Sequence, residues 1–166
     1  MITIEKATRS DSLAIESLDR VVWERRNGGQ RTMADADYTW RIWIEHALVY
    51  TAKDDGKLVG VALAFPAKSG RYCLHKIFTA EAYREQHAAT LLADAILHDT
   101  DKLGVDVFVN VFSDNAKALL LFEKQGFSAH PHQTDTNRVT GTTLLTRPAG
   151  RKPFFSANNY LYSIYR

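Results

Sequence analysis

The chain has 166 residues, 45% of them hydrophobic, and a net charge of only +2. That is one domain's length with enough apolar side chains for a core, which excludes a disordered chain. The weak basic balance speaks against a nucleic-acid binder. No apolar run is long enough to cross a bilayer, and no charged-then-apolar leader opens the sequence. The single cysteine, Cys73, cannot form an internal disulfide. A cytoplasmic protein is therefore expected.

Residues 2–8 (ITIEKAT) alternate apolar and polar side chains, as a half-buried strand does. Ser10 and Asp11 then offer caps for a helix carrying Leu13, Ile15, Leu18, Val21 and Val22 at near-helical spacing. RRNGGQRT, centred on Gly28 and Gly29, breaks the pattern. Residues 34–46, crowded with Tyr38, Trp40, Ile42, Trp43 and Ile44, predict a second helix. Two apolar runs flanking Asp55-Gly56 predict a hairpin, because glycine accepts the positive φ of a tight turn. Residues 71–79 read as another strand.

From Gln86 onward, Ala88, Ala89, Leu91, Leu92, Ala95 and Ile96 share a helical face. VDVFVNVF (105–112) places a valine at every second position, the mark of a buried strand. A helix follows, with Ser113 or Asp114 as cap and Gly126 as stop. Two more strands are expected near 127–132 and 139–146. The order is β-α-α-β-β-β-α-β-α-β-β without internal repeats. It predicts an α/β fold with a mixed, partly parallel central sheet flanked by helices. The expected domain covers 1–147. Residues 148–166 form an extension rich in Phe and Tyr, too apolar to leave in water. It is expected to pack on its own domain or at a subunit interface, which would make a homodimer.

Three stretches together carry a family resemblance: LHKIFTAEAYREQHAATLL (74–92), NAKALLLFEKQGF (115–127) and ITIEKATRSD (2–11). In order and spacing they resemble the GNAT-type (Gcn5-related) acyl-CoA N-acyltransferase superfamily. Residues 74–92 resemble its central strand and its Arg/Gln-x-x-Gly-x-Gly/Ala pyrophosphate loop and helix. Residues 115–127 resemble the Asn-x-x-Ala…Tyr-x-x-x-Gly-Phe segment that closes the cofactor site. Residues 2–11 resemble its first strand and helix start. The resemblance implies a GNAT-like fold and acetyl-CoA as acyl donor. It also implies direct transfer of the acetyl group to a primary amine of a small molecule or protein. Ile77, Phe78 and Thr79 would offer backbone groups to the pantetheine arm. Arg84, Glu85, Gln86, His87, Ala88, Ala89 and Thr90 would wrap the pyrophosphate, where helix-start N–H groups and the helix dipole favour an anion. Asn115 would bond the cofactor arm.

Two residues depart from the family pattern. His87 stands at the first glycine of the loop, where a side chain must turn away from a ligand. Phe122 stands where many members have a tyrosine that protonates the departing thiolate. Thiols ionise near pKa ~8.5, so losing that acid should slow transfer rather than abolish it. His75, two residues before Ile77, is the candidate general base, against the plainer reading of a histidine bonded to the sheet. Asn110, Ser113 and Asn115 end the valine strand, where open sheets often hold ligands, and Asn115 reads equally well as a helix cap. Glu24 and Asp37 flank the variable helical region and could attract a cationic amine. No metal site is evident, since His130 and His132 lack a third ligand. A module that binds CoA, or nothing, and serves regulation is the alternative to an enzyme. Nucleic acid and membrane are not expected as partners.

Overall fold

In the computed structural model, residues 1–26, 28, 37–129, 141–150, 154–155 and 161–162 are described, the last two pairs and Asp37 by backbone alone. The strands are β1 (Ile2–Lys6), β2 (Leu48–Asp54), β3 (Lys57–Pro66), β4 (Tyr72–Thr79), β5 (Val107–Phe112), β6 (Ser128–Ala129), β7 (Thr142–Arg147), β8 (Phe154–Phe155) and β9 (Leu161–Tyr162). The helices are α1 (Ser12–Arg26), α2 (Asp37–His46), α3 (Ala88–Leu103) and α4 (Ala116–Lys124). Up to β7 this is the order read from the sequence. The hydrogen-bonded order of the seven-stranded sheet is β1-β2-β3-β4-β5-β7-β6. Pairing is mostly antiparallel, with β4 and β5 parallel through Tyr72↔Val107 and Cys73↔Phe108. β8 and β9 pair with each other.

By contacts the chain divides into two units, Met1–Phe65 with His75–Ile96, and Pro66–Leu74 with Leu97–Arg166. In the first unit, β1 and β2 pair from Ile2↔Asp54 to Lys6↔Tyr50. The β2–β3 turn has Asp55 at φ 47° and Gly56 at φ 80°, the two positive values of a type I′ hairpin. α1 buries Ser12, Ile15, Asp19 and Val22, a stripe at helical spacing. Leu13 and Val21, expected in the core, are each 61% exposed. The core joins Ile15, Val22, Trp40, Val49, Val61, Leu63 and Phe78.

The caps also differ from those expected. Asp11 Oδ2 accepts the Thr8 N–H at 2.7 Å and the Thr8 hydroxyl at 2.9 Å, so Asp11 caps from inside the first turn and Ser10 does not. On the far side of β3, a methyl added at Gly60 would meet Leu92 Cδ1 at 3.0 Å, Thr79 Cγ2 at 3.1 Å and the Phe78 carbonyl at 3.2 Å. Glycine is what lets α3 lie close on the strands here.

The second unit is built on β5, which buries Val107, Val109 and Val111 and pairs with β7 from Val107↔Arg147 to Phe112↔Thr142. Arg147 grips Asp101 with both terminal nitrogens, at 2.7 and 3.0 Å, and gives its Nε–H to the Gln125 carbonyl at 2.9 Å. Asp101 Oδ1 also accepts the Gly150 N–H at 2.8 Å. Burial pushes the Asp101 carboxyl up, but Arg147 and the Gly150 N–H outweigh it and leave the pKa lowered. Cys73 is half-buried, and burial pushes its thiol pKa up.

Candidate active site

The chain from β4 to α3 carries most of the expected site. Ala80 donates its N–H to Val59 of β3 at 2.8 Å. By the two-residue alternation of a strand, Phe78 turns its backbone the same way while Ile77 and Thr79 turn theirs to the opposite edge. The Phe78 side chain is buried, edge-on to Trp40 at 6.2 Å. Of the three residues expected to meet the pantetheine arm, Ile77 and Thr79 therefore turn their backbone groups away from β3, and Phe78 turns its own toward it.

After β4 a short 3-10 turn, Glu81–Tyr83, leads to Arg84, whose N–H bonds the Glu81 carbonyl at 3.2 Å. The Tyr83 hydroxyl donates to Asp54 Oδ2 at 3.0 Å and fixes the turn to β2. Arg84, Glu85, Gln86 and His87 are exposed, while Ala88 is buried and Ala89 and Thr90 are half-buried. The helical ladder begins with the Leu91 N–H bonding the His87 carbonyl at 3.0 Å. His87 thus sits at the helix start, and its φ is +59°. That left-handed conformation costs an ordinary residue roughly 1–2 kcal/mol, and helix starts normally take extended dihedrals instead. The backbone shape that glycine would supply is present although the glycine is not.

His75 is exposed, with its ring 5.9 Å from Trp43 and 5.2 Å from Phe65. The next residue, Lys76, donates to Asp19 Oδ2 at 2.9 Å, and Trp40 Nε1 donates to the same oxygen at 3.2 Å. Lys76 Nζ also stands 5.6 Å from the Trp40 ring and 5.8 Å from the Trp43 ring. The apolar pattern of the sequence missed Asp19 because it looks for hydrocarbon. A carboxylate on the buried stripe of α1 was the signal that a cation must come to meet it.

In the second unit, Asn115 caps α4, its Oδ1 accepting the Ala118 N–H at 3.1 Å. The cap is neither Ser113 nor Asp114. The Ser113 hydroxyl instead shares a 2.8 Å hydrogen bond with that of Thr143, and Asn110 is exposed on β5. At the other end, Gly126 (φ 92°) bonds its N–H to the Glu123 carbonyl and Phe127 bonds its N–H to that of Phe122, each at 3.0 Å. The Phe122 and Phe127 rings meet edge-on at 5.2 Å. This is a Schellman ending with its hydrophobic contact. Phe122 is 2% exposed and closes the helix.

Glu24 is half-buried; the Asp37 side chain, His130 and His132 lie outside the described residues. Among the described residues, no three His, Cys, Asp or Glu side chains gather to hold a metal. No helix there is long and apolar enough to cross a membrane.

The model of the acetyltransferase (GNAT) family matches residues 15–127, and the chain belongs to that family. Solved structures share the fold at low identity. The PaiA N-acetyltransferase of Thermoplasma acidophilum, in complex with coenzyme A, is 15% identical with a TM-score of 0.73, over 89% of this chain and 99% of that one. The ribosomal-protein-S18-alanine N-acetyltransferase of Escherichia coli is 19% identical with a TM-score of 0.70, over 96% and 99%. YncA, a putative acetyltransferase of Salmonella typhimurium with its cofactor acetyl-CoA, is 15% identical with a TM-score of 0.73, over 95% and 99%. Among curated protein sequences none matches this chain.

Proposed function

We propose that the chain is an acetyl-CoA-dependent N-acetyltransferase that acetylates a primary amine by direct transfer. The observation that carries this is the left-handed His87 at the start of α3. A helix that merely had to begin would not retain roughly 1–2 kcal/mol of backbone strain; a loop shaped to bring N–H groups around a diphosphate would. The complexes of PaiA with coenzyme A and of YncA with acetyl-CoA support the choice of donor.

Chemically, the amine nitrogen attacks the thioester carbonyl. An N–C bond forms, the C–S bond breaks, and the thiolate leaves with the electron pair. His75, exposed on β4 two residues before Ile77, takes the proton that the attacking amine must lose. Ile77 and Thr79 align the arm by backbone bonds. The Phe122 ring has no proton to give, so the thiolate departs as such or takes a proton from water, which its modest basicity allows. The helix-closing role of Phe122 favours a slow enzyme and keeps the regulatory CoA-binding module as the alternative reading.

Isothermal titration with acetyl-CoA and CoA tests the donor, with micromolar binding expected. Release of CoA thiol in the presence of primary amines tests turnover. His75→Gln should lower kcat about 100-fold and leave acetyl-CoA affinity within a factor of two. Binding without turnover on any amine would select the module. Absence of binding to either nucleotide would overturn the enzyme and the CoA-binding module alike and leave a module that binds neither.

A further inference from the structure

The buried stripe of α1 runs Ile15, Asp19, Val22, in steps of four and three. The next position on that stripe is Arg26, the last residue of the helix. The stripe thus ends on an exposed arginine at the rim of the buried face. Two contacts fix where that side leads. Asp19 holds Lys76 of β4 at 2.9 Å, and Arg25 forms an ion pair with Glu81 in the turn after β4. α1 thus follows β4 toward the pyrophosphate-type loop, and its last turn stands beside the turn that carries Arg84.

Arg26 and Arg84 are both exposed, and among the described residues neither forms an ion pair. Desolvation, and next the charge of Arg84, lower the pKa of Arg26, with Asp19 opposing. The geometric link is the Arg25–Glu81 ion pair, which brings the last turn of α1 to the turn after β4, so that an exposed arginine stands on each of the two elements. Guanidinium forks suit phosphate oxygens better than any other common anion.

We propose that Arg26 joins Arg84 in a two-arginine clamp on a phosphate group of the acyl-CoA donor, making the end of α1 part of the donor site. This rests on the acyl-CoA reading above and adds a residue from outside the loop to it. The chemistry of the ligand is a phosphate ester or diphosphate. CoA offers both, in its 3′-phosphate and its diphosphate.

The test is isothermal titration of the full chain with CoA, 3′-dephospho-CoA and inorganic pyrophosphate, using wild type, Arg26→Ala, Arg26→Lys and Arg84→Ala. Arg26→Ala should weaken CoA binding about 10-fold, and Arg26→Lys should restore part of it. The loss should shrink in the Arg84→Ala background, since clamp residues are coupled. An equal loss with dephospho-CoA places the clamp on the diphosphate; a loss seen only with CoA places it on the 3′-phosphate. Either outcome supports the proposal. CoA bound equally well by wild type and Arg26→Ala would overturn the clamp and leave the donor reading standing. Absence of CoA binding by wild type would overturn the donor reading instead. The clamp would then be judged on pyrophosphate, supported by binding that Arg26→Ala abolishes and overturned by none. Thermal unfolding of each variant accompanies the titrations. Arg26→Gln or Arg84→Gln, each keeping part of the stem of the side chain, replaces the alanine variant at that position if it loses its folded signal.

Discussion

At His87 a β-branch-free but bulky side chain is held at φ +59°, a region where the Cβ crowds the following carbonyl. His87→Gly removes that crowding, roughly 1–2 kcal/mol, and adds the extra chain entropy of glycine, roughly 0.5–1 kcal/mol. The net expectation is a gain of about 0–1.5 kcal/mol, read as a higher urea midpoint at unchanged slope. His87→Ala keeps the Cβ and should gain nothing. A midpoint that falls in the glycine variant would show that the imidazole holds the loop by some contact worth more than the strain. The resemblance placed His87 at a glycine position, but no property of the sequence says whether a backbone keeps its dihedral when the residue changes. The Gly126 stop was legible by contrast, although the closing contact of Phe122 with Phe127 was not read. Phe122, Gly126 and Phe127 have the spacing of an apolar pair closing around a left-handed glycine.

Among the elements, α1 and α3 show what apolar spacing can and cannot reveal. In α3 the periodicity located most of the face, since Ala88, Leu92 and Ile96 are buried, but it drew in Leu91, which is exposed, and passed over Ala93 and Leu97, which are buried. In α1 the face is marked by Asp19 as much as by Ile15 and Val22, and counting apolar residues drew in Leu13 and Val21, which point to solvent. The partner that makes a buried carboxylate tolerable, Lys76, lies on another element and cannot be read from spacing along the helix. How closely α3 packs is also set elsewhere, at Gly60 of β3. Gly60→Ala would bring a methyl to 3.0 Å from Leu92 Cδ1 and 3.2 Å from the Phe78 carbonyl. The side chain can give way but the strand carbonyl cannot. A loss of about 1–3 kcal/mol is expected in chemical denaturation, with weaker CoA binding because α3 starts at the proposed phosphate loop.

For the whole molecule, acid sensitivity follows from carboxylates held in their charged form. The Asp101 pKa is lowered, burial opposing and Arg147 with the Gly150 N–H prevailing. The Asp11 pKa is also lowered, burial again opposing and the Thr8 N–H and Lys53 prevailing. A folded-state pKa below the unfolded value of about 4 gives stability that is complete above that pH. It is lost as pH falls through the folded value. Asp101→Asn should cost about 1–3 kcal/mol at pH 7, and the gap to wild type should close on titration toward pH ~2. A gap that stays constant with pH would mean that the amide variant loses packing and not charge. This grip on β7 was not legible in the sequence, because Asp101 and Arg147 are 46 residues apart and nothing local pairs them. The order of elements along the chain up to β7 was legible, since each carries its own period and its own stop; the order of strands in the sheet was not read. The aromatic extension was recognised by composition alone, and of it the paired backbones of β8 and β9 are described.

The one cysteine has a practical consequence. The thiolate is the reactive form of a cysteine, and burial keeps the Cys73 proton on. Disulfide reagents used to count a product thiol should therefore label the folded chain slowly, and a turnover trace should start from a low blank. Because Cys73 lies in register with Phe108 where β4 meets β5 and is only half-buried, its labelling rate in the folded chain, compared with that in urea, reports how far that seam shields the thiol, and it is obtainable from the same cuvette before any substrate is added.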